Sequence, residues 1–299
     1  MALWPVPHSA GMNRPQPLPP QGACDSHMHI FDPRFVPSAH WQRTPPVAPV
    51  AAYCQLQARL GTQRAVVVTP STYGTDNACM LDALAHWGDS ARGVAVVHPS
   101  VSAEELARLA ACGVRGLRVN FVSPQSWGTT TPEMLATLAR KVADQPACQG
   151  WHLQVLAHPE QIVSMVLLLQ SLPVPLVIDH LGRIDPAVGP AGAAFGVVRG
   201  LLDGGNTWVK LSGAYMRSSV HGPSYADTLP LGRALVQAAP ERLVWGSDWP
   251  HTTELPGSVN DSDLMDLLHA WAGSRAAASR ILVDNPVHLY GFDGFDTMP

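Results

Sequence analysis

Residues 23–29 read Ala-Cys-Asp-Ser-His-Met-His, a short run that closes on two histidines two positions apart. Side chains alternate along a strand, so if Met28 packs outward, His27 and His29 both point inward. Working outward from this run, seven further candidate strands lie at 65–69, 93–98, 116–121, 151–156, 175–180, 207–212 and 243–248. They alternate with helical patterns and are separated by Gly, Pro or Asp, which predicts βα units and a parallel sheet. The helices carry their own signals. Ser102 and Glu105 have capping-box spacing ahead of Leu106 and Leu109, with a stop at Gly113. Thr131-Pro132 is an N-cap with proline in the first turn, ahead of Leu135, Leu138 and Val142. Leu264, Leu267, Leu268 and Trp271 fall on one helix face. Eight strands with intervening helices predict an α/β fold, a single (β/α)8 TIM barrel. The rival doubly wound sheet lacks its nucleotide signatures, because neither GxGxxG nor GxxxxGK[ST] follows any candidate strand.

The chain has 299 residues, a net charge of −4, and 46% hydrophobic against 14% charged residues, the composition of an ordinary globular protein. Without a Lys/Arg block, it offers no footprint for nucleic acid or an anionic membrane. The most apolar stretch, 162–172, is broken by Ser164, Gln170 and Ser171, too short for a membrane span. The first twenty residues lack the basic and apolar regions of a secretory signal, so a cytoplasmic location is expected. Cys24, Cys54, Cys79, Cys112 and Cys148 show no CxxC pairing and read as thiols in a reducing compartment. Eleven of the 28 prolines fall before residue 50, making the stretch before Cys24 a tail or wrap and 33–49 a long loop. The expected division is a Pro-rich extension over 1–22, one barrel domain over 23–293 and a tail over 294–299.

Polar residues at strand C-termini converge on one mouth of such a barrel. The first candidate strand ends in His27 and His29, the sixth in Asp179-His180 and the eighth in Gly246-Ser247-Asp248, while the fourth carries Arg118 and Asn120. Three imidazoles and a carboxylate could hold a divalent ion, or activate a water and polarise a carbonyl. Taken singly, Asp248 also reads as a cap of the Trp249-Pro250 turn. Asp179 is expected to face away from the mouth in a structural role.

The segments ACDSHMHIFDP, STYGTDNACMLDALA, GVRGLRVNF, LVIDHLGR, WVKLSGAYMRSS, LVWGSDWPHT and DNPVHLYGF run in barrel order from Ala23 to Phe292. This pattern resembles the amidohydrolase superfamily, in its lactone-opening branch of pyrone-dicarboxylate and sulfomuconolactone hydrolases and galactarolactone isomerases. The resemblance implies a hydrolase that opens a small carboxylated or sulfonated lactone in aromatic-acid breakdown. It casts Asp248 as the base that deprotonates the attacking water, with His27, His29 and His180 around the scissile carbonyl. Arg118 and Arg183 match positions that clamp substrate carboxylates, while Ser71 and Arg217 match substrate-contacting loops. Trp249, Pro250 and His251 shape the mouth. The pattern departs at Leu156, where the branch has a tyrosine, and at Pro124, where it has an arginine. Losing those contacts points to a substrate whose acidic groups are placed differently.

Metal-dependent members of the superfamily add a lysine or glutamate on strand four and a histidine closing strand five. Here Arg118 and Leu156 stand there, and Arg118 cannot ligate. His152 and His158 fall one residue too early and too late, and read as core or loop. Metal-free catalysis is expected, with His27, His29 and Asp248 the ligands should one Zn-type divalent ion bind. The other readings are lactone isomerisation, metal-dependent decarboxylation and a barrel that only binds an acidic metabolite. The expected partner is a small acidic lactone, with the oligomeric state open.

Overall fold

The computed structural model describes residues 5–293. Eight parallel strands, β1 (Cys24–Met28), β2 (Arg64–Val68), β3 (Ala91–Ala95), β4 (Val114–Asn120), β5 (His152–Leu156), β6 (Leu176–Ile178), β7 (Thr207–Leu211) and β8 (Leu243–Trp245), pair in sequence order. The sheet closes just above β8, where the Asp248 amide donates to the His27 carbonyl at 2.8 Å and the His29 amide to the Trp249 carbonyl at 2.9 Å. The molecule is therefore the expected (β/α)8 barrel, and the bonds that shut it involve site residues.

The main helices are α1 (Val50–Leu60), α2 (Ala78–Trp87), α3 (Ala103–Ala111), α4 (Pro132–Asp144), α5 (Pro159–Ser164), α6 (Val166–Gln170), α7 (Ala193–Asp203), α8 (Leu229–Ala238), α9 (Asp261–Ala272), α10 (Arg275–Ser279) and α11 (Asn285–Tyr290). The Ser102 hydroxyl accepts from the Glu105 amide and the Thr131 hydroxyl from the Met134 amide, so both expected caps form. Leu264, Leu267, Leu268 and Trp271 are all buried on α9.

Two apolar compartments result. The larger lies between strands and helices. The smaller is inside the barrel, where Cys24, Val66, Val68, Val94, Val177, Trp208 and Val244 meet Leu289, Tyr290 and Phe292. The segment at the end of α11 thus closes the barrel floor, leaving the opposite mouth for polar chemistry.

The described part of the Pro-rich extension is a wrap. Ala10 donates to the Val259 carbonyl at 2.7 Å, and the Trp249 indole donates to the Pro7 carbonyl at 2.9 Å. The expected tail over 294–299 lies outside the described residues.

Candidate active site

His27 and His29 are delivered by β1, whose register against β2 shifts between Asp25 and Met28. The shift lets Cys24 face the inner floor while Met28 packs outward and both imidazoles turn into the mouth. Asp25 braces this turn from outside, accepting from the Ser247 amide at 2.9 Å, the Ser247 hydroxyl at 2.5 Å and the Tyr53 hydroxyl at 2.9 Å.

The sixth and eighth strand ends reach the site differently. His180 and Asp248 have left-handed backbones, φ 51° and 61°, which swing their side chains inward just after their strands stop. This corrects the expectation for Asp179. Because Val177 faces the barrel interior, alternation sends Asp179 inward too, and His180 joins it through its turned backbone rather than through strand parity. Asp179 lies 3.4 Å from His27 Nδ1 and 3.5 Å from Arg118 Nε, and accepts from Gln154 Nε2 at 3.1 Å. Burial opposes its charge, but His27, His180 and Lys210 hold its carboxyl well below the ordinary range.

At the centre, Asp248 Oδ1 stands 3.4 Å from His27 Nε2, 3.4 Å from His29 Nε2 and 4.0 Å from His180 Nε2. Its Oδ2 accepts from the Tyr215 hydroxyl at 2.6 Å. Burial alone would raise the Asp248 carboxyl, yet the three imidazoles outweigh it and push it well below the ordinary value. Burial lowers both His27 and His180, leaving them neutral near pH 7. An ionised carboxylate facing these imidazoles can take a proton from water.

Above this cluster opens a cavity of about 180 Å³ lined by His29, Ser71, Arg118, His180, Arg183 and Asp248 among others. Ser71 is fixed by the Asn120 amide at 2.9 Å. Among the described residues Arg183 meets Met216 Sδ at 3.7 Å, and its Nε has no hydrogen-bond partner there. The structure therefore brings together seven of the eight candidate residues. Arg217 is the exception: it is exposed, paired with Asp185 at 3.4 Å, and lines a neighbouring groove. The pairing of Asp185 with Arg217 leaves Arg183 free to face the cavity.

Sequence reasoning missed several groups. Arg43, over the Trp41 ring at 4.7 Å, lines the same cavity from the loop after β1. Tyr215 and Asp261 form a buried chain behind Asp248 through His251, with contacts of 3.2 Å and 3.1 Å, so His251 stands behind the carboxylate rather than shaping the mouth as expected. Lys210 is fully buried beneath the imidazoles. Its signal was a lysine inside the apolar run Trp208-Val209-Lys210-Leu211, at the parity of Ser212. His152 is buried in the barrel interior against Tyr290, a core position as expected.

A (β/α)8 barrel whose mouth sets a carboxylate against three imidazoles defines a hydrolase-type active site. The chain belongs to the amidohydrolase family, whose profile matches residues 24–292. It is 34% identical to a 4-sulfomuconolactone hydrolase of Rhizobium radiobacter over 276 residues, covering 91% of each chain. It is likewise 34% identical to a 2-pyrone-4,6-dicarboxylate hydrolase of Comamonas testosteroni, covering 94% of each. A solved structure from Agrobacterium tumefaciens superposes with a TM-score of 0.84 at 27% identity, covering 94% of this chain and 99% of that one. Among the described residues no helix is long and apolar enough to cross a membrane.

Proposed function

We propose that this protein opens the ring ester of a small lactone bearing two acidic groups, in the breakdown of aromatic acids. The observation that carries the reading is the Asp248 carboxylate facing three imidazoles beneath a cavity lined by Arg43, Arg118 and Arg183. Three guanidiniums against one carboxylate leave a cationic pocket, and guanidinium forks suit carboxylate or sulfonate groups. Arg43 supplies charge that Pro124 and Leu156 do not, from a different direction, which favours acidic groups placed differently from those of the named relatives. The names of the two 34% relatives support the reaction type.

Asp248 Oδ1 takes the proton of the attacking water while imidazole N–H groups bind the oxygen that becomes negative. The tetrahedral adduct then expels the ring oxygen, and Asp248 returns its proton to that leaving oxygen. Water is consumed, one C–O bond forms and the ring C–O bond breaks.

The superfamily's divalent ion fits this site poorly. His27, His180 and Asp248 each offer one ligand atom within 4.8 Å of one another. Arg118 nevertheless occupies the inward strand-four position, and the Lys210 ammonium lies 3.2 Å from His27 Nδ1. Arg118 and Lys210 already balance the Asp179 and Asp248 carboxylates there, leaving no net negative charge to draw in a divalent ion, so catalysis proceeds without a bound ion. The reducing cytoplasm suits its five free cysteines.

Ring opening of a panel of carboxylated and sulfonated lactones, with 2-pyrone-4,6-dicarboxylate as the reference compound and followed by ultraviolet absorbance, tests the proposal. Turnover is expected to survive chelation, to incorporate ¹⁸O from labelled water and to vanish in Asp248→Asn. An ¹⁸O-free product would establish isomerisation, and a folded Asp248→Asn protein with normal kcat would remove Asp248 from the base role.

A further inference from the structure

The two histidines at the end of β1 do not carry their protons alike. His29 Nδ1 lies 2.7 Å from the Val68 carbonyl, which can only accept. His29 therefore carries a proton on Nδ1, while its Nε2 faces the mouth, 3.3 Å from His27 Nε2 and 3.4 Å from Asp248 Oδ1. His27 is held from below by a different kind of group. Lys210 Nζ donates to the Ser26 carbonyl at 2.8 Å and to Gln154 Oε1 at 2.7 Å, and its third N–H meets His27 Nδ1 at 3.2 Å. Asp179 Oδ1 competes for the same nitrogen from 3.4 Å. A proton on Nδ1 would point at the nearer ammonium and waste its donor, whereas a bare Nδ1 accepts from it.

We propose that Lys210 is a positioning residue that fixes His27 in the Nε2–H form, making it the donor to the carbonyl oxygen while His29 acts as its opposite, an acceptor. This deepens the lactonase reading and rests on it for its catalytic consequence. Nothing in the His-x-His spacing separates the two rings, since both are aimed at the mouth by the same alternation. The asymmetry comes from what each Nδ1 meets: a main-chain carbonyl in one case and a buried cation in the other. Lys210 is wholly enclosed, and burial lowers it only to about 8, so it remains an ammonium at neutral pH. Before substrate arrives, the His27 Nε2–H of this form points between His29 Nε2 at 3.3 Å and Asp248 Oδ1 at 3.4 Å, which holds the donor in the direction of the site. Gln154 accepts from Lys210 while donating to Asp179 Oδ2, which leaves only Asp179 Oδ1 to compete with Lys210 for His27 Nδ1.

The test reads the tautomer directly, in the full chain labelled with ¹⁵N-histidine and assigned by the signal lost in His27→Gln. Two-bond ¹H–¹⁵N spectra are expected to show His27 with a bare Nδ1 and protonated Nε2, and His29 with the reverse. In Lys210→Met, His27 is expected to move its proton to Nδ1 toward Asp179, with His29 unchanged. Against whichever lactone the protein turns over, that variant should lose about 10²–10³-fold in kcat with little change in KM, the size of losing one oxyanion donor. An Nδ1–H signal for His27 in the unmodified protein overturns the proposal even if Lys210→Met fails to fold. So does a folded Lys210→Met with unchanged kcat. Because the spectrum requires no turnover, a wrong lactone assignment would leave the tautomer result standing, and the two failures are separable.

Discussion

Asp248 divides its two oxygens between different tasks. Oδ1 faces the imidazoles and the cavity, whereas Oδ2 is tied to the Tyr215 hydroxyl at 2.6 Å. A phenol that donates can also accept, and His251 Nδ1 lies 3.2 Å from it, its other nitrogen 3.1 Å from Asp261. Burial works against charge on His251, but Asp261 raises it above the usual imidazole range. The result is a buried hydrogen-bonded chain that holds the carboxylate in one rotamer. In Tyr215→Phe, Oδ2 loses its donor, a loss worth roughly 1–3 kcal/mol for a buried acceptor. Removing a hydrogen bond to the ionised form raises the Asp248 carboxyl. Less of it is then ionised at a given acidic pH, so the acid limb of the kcat/KM profile should move to higher pH and kcat should fall. An unmoved acid limb would show that Tyr215 does not act through Asp248. At this scale the sequence yielded the groups that stand at strand ends, because alternation and spacing point to them. It hid Lys210, Gln154 and Tyr215, which act from beneath and behind and whose roles depend on which atoms they meet across the barrel.

Strand ends decide how those residues are aimed. Alternation served for His27 and His29, since both lie on one extended run bounded by an outward Met28. Counting it back from His180 misled at Asp179, because β6 stops at Ile178 and His180 enters by a left-handed backbone that hydrophobic pattern cannot signal. Strand boundaries drifted for the same reason: the sixth and eighth runs were expected to reach 180 and 248, but the chain leaves the sheet to make these turns. Gly213 belongs to the same design, for a Cβ there would lie 3.1 Å from the His180 ring, and its φ is +62°. A tighter approach is at the barrel seam. A Cβ on Gly246 would fall 2.5 Å from His27 Cβ and 2.8 Å from its amide nitrogen. Gly246→Ala must therefore push β8 away from β1, at the roughly 1–3 kcal/mol of an overpacked core. The expected outcome is a lower Tm by calorimetry together with a larger loss of turnover, because the seam also carries Asp248. A variant with wild-type Tm and kcat would mean that the seam is looser than the structure describes.

The barrel as a whole is stratified, with an apolar floor closed by Leu289, Tyr290 and Phe292, a charged middle around Lys210 and Asp179, and an open mouth. The eightfold strand rhythm was legible, whereas the floor was not, since a plug formed from residues beyond the last strand has no periodic signature. His152 lies at the join between floor and middle, its ring 5.4 Å from Tyr290 and both its nitrogens without a hydrogen-bond partner. Burial, with a smaller contribution from Lys210, lowers it from 6.5 to about 3. Its effect on stability has a definite sign. Between pH 6.5 and 3 the unfolded chain binds a proton at this position and the folded chain does not. Stability from this group is therefore complete above pH 6.5 and declines as pH falls through that window, by at most about 1.4 kcal/mol per pH unit. His152→Leu removes the titration and two unpartnered nitrogens while keeping a side chain of similar reach. It should leave stability at pH 7 unchanged or higher, since no hydrogen bond is lost. Urea unfolding at pH 7, 5 and 4 should then give a shallower fall toward acid than the parent, by up to one proton's worth of slope. The variant keeps a residual fall from His27 and His180, which burial also lowers. Identical acid slopes in parent and variant would mean that His152 is protonated in the folded barrel, and that its floor admits water.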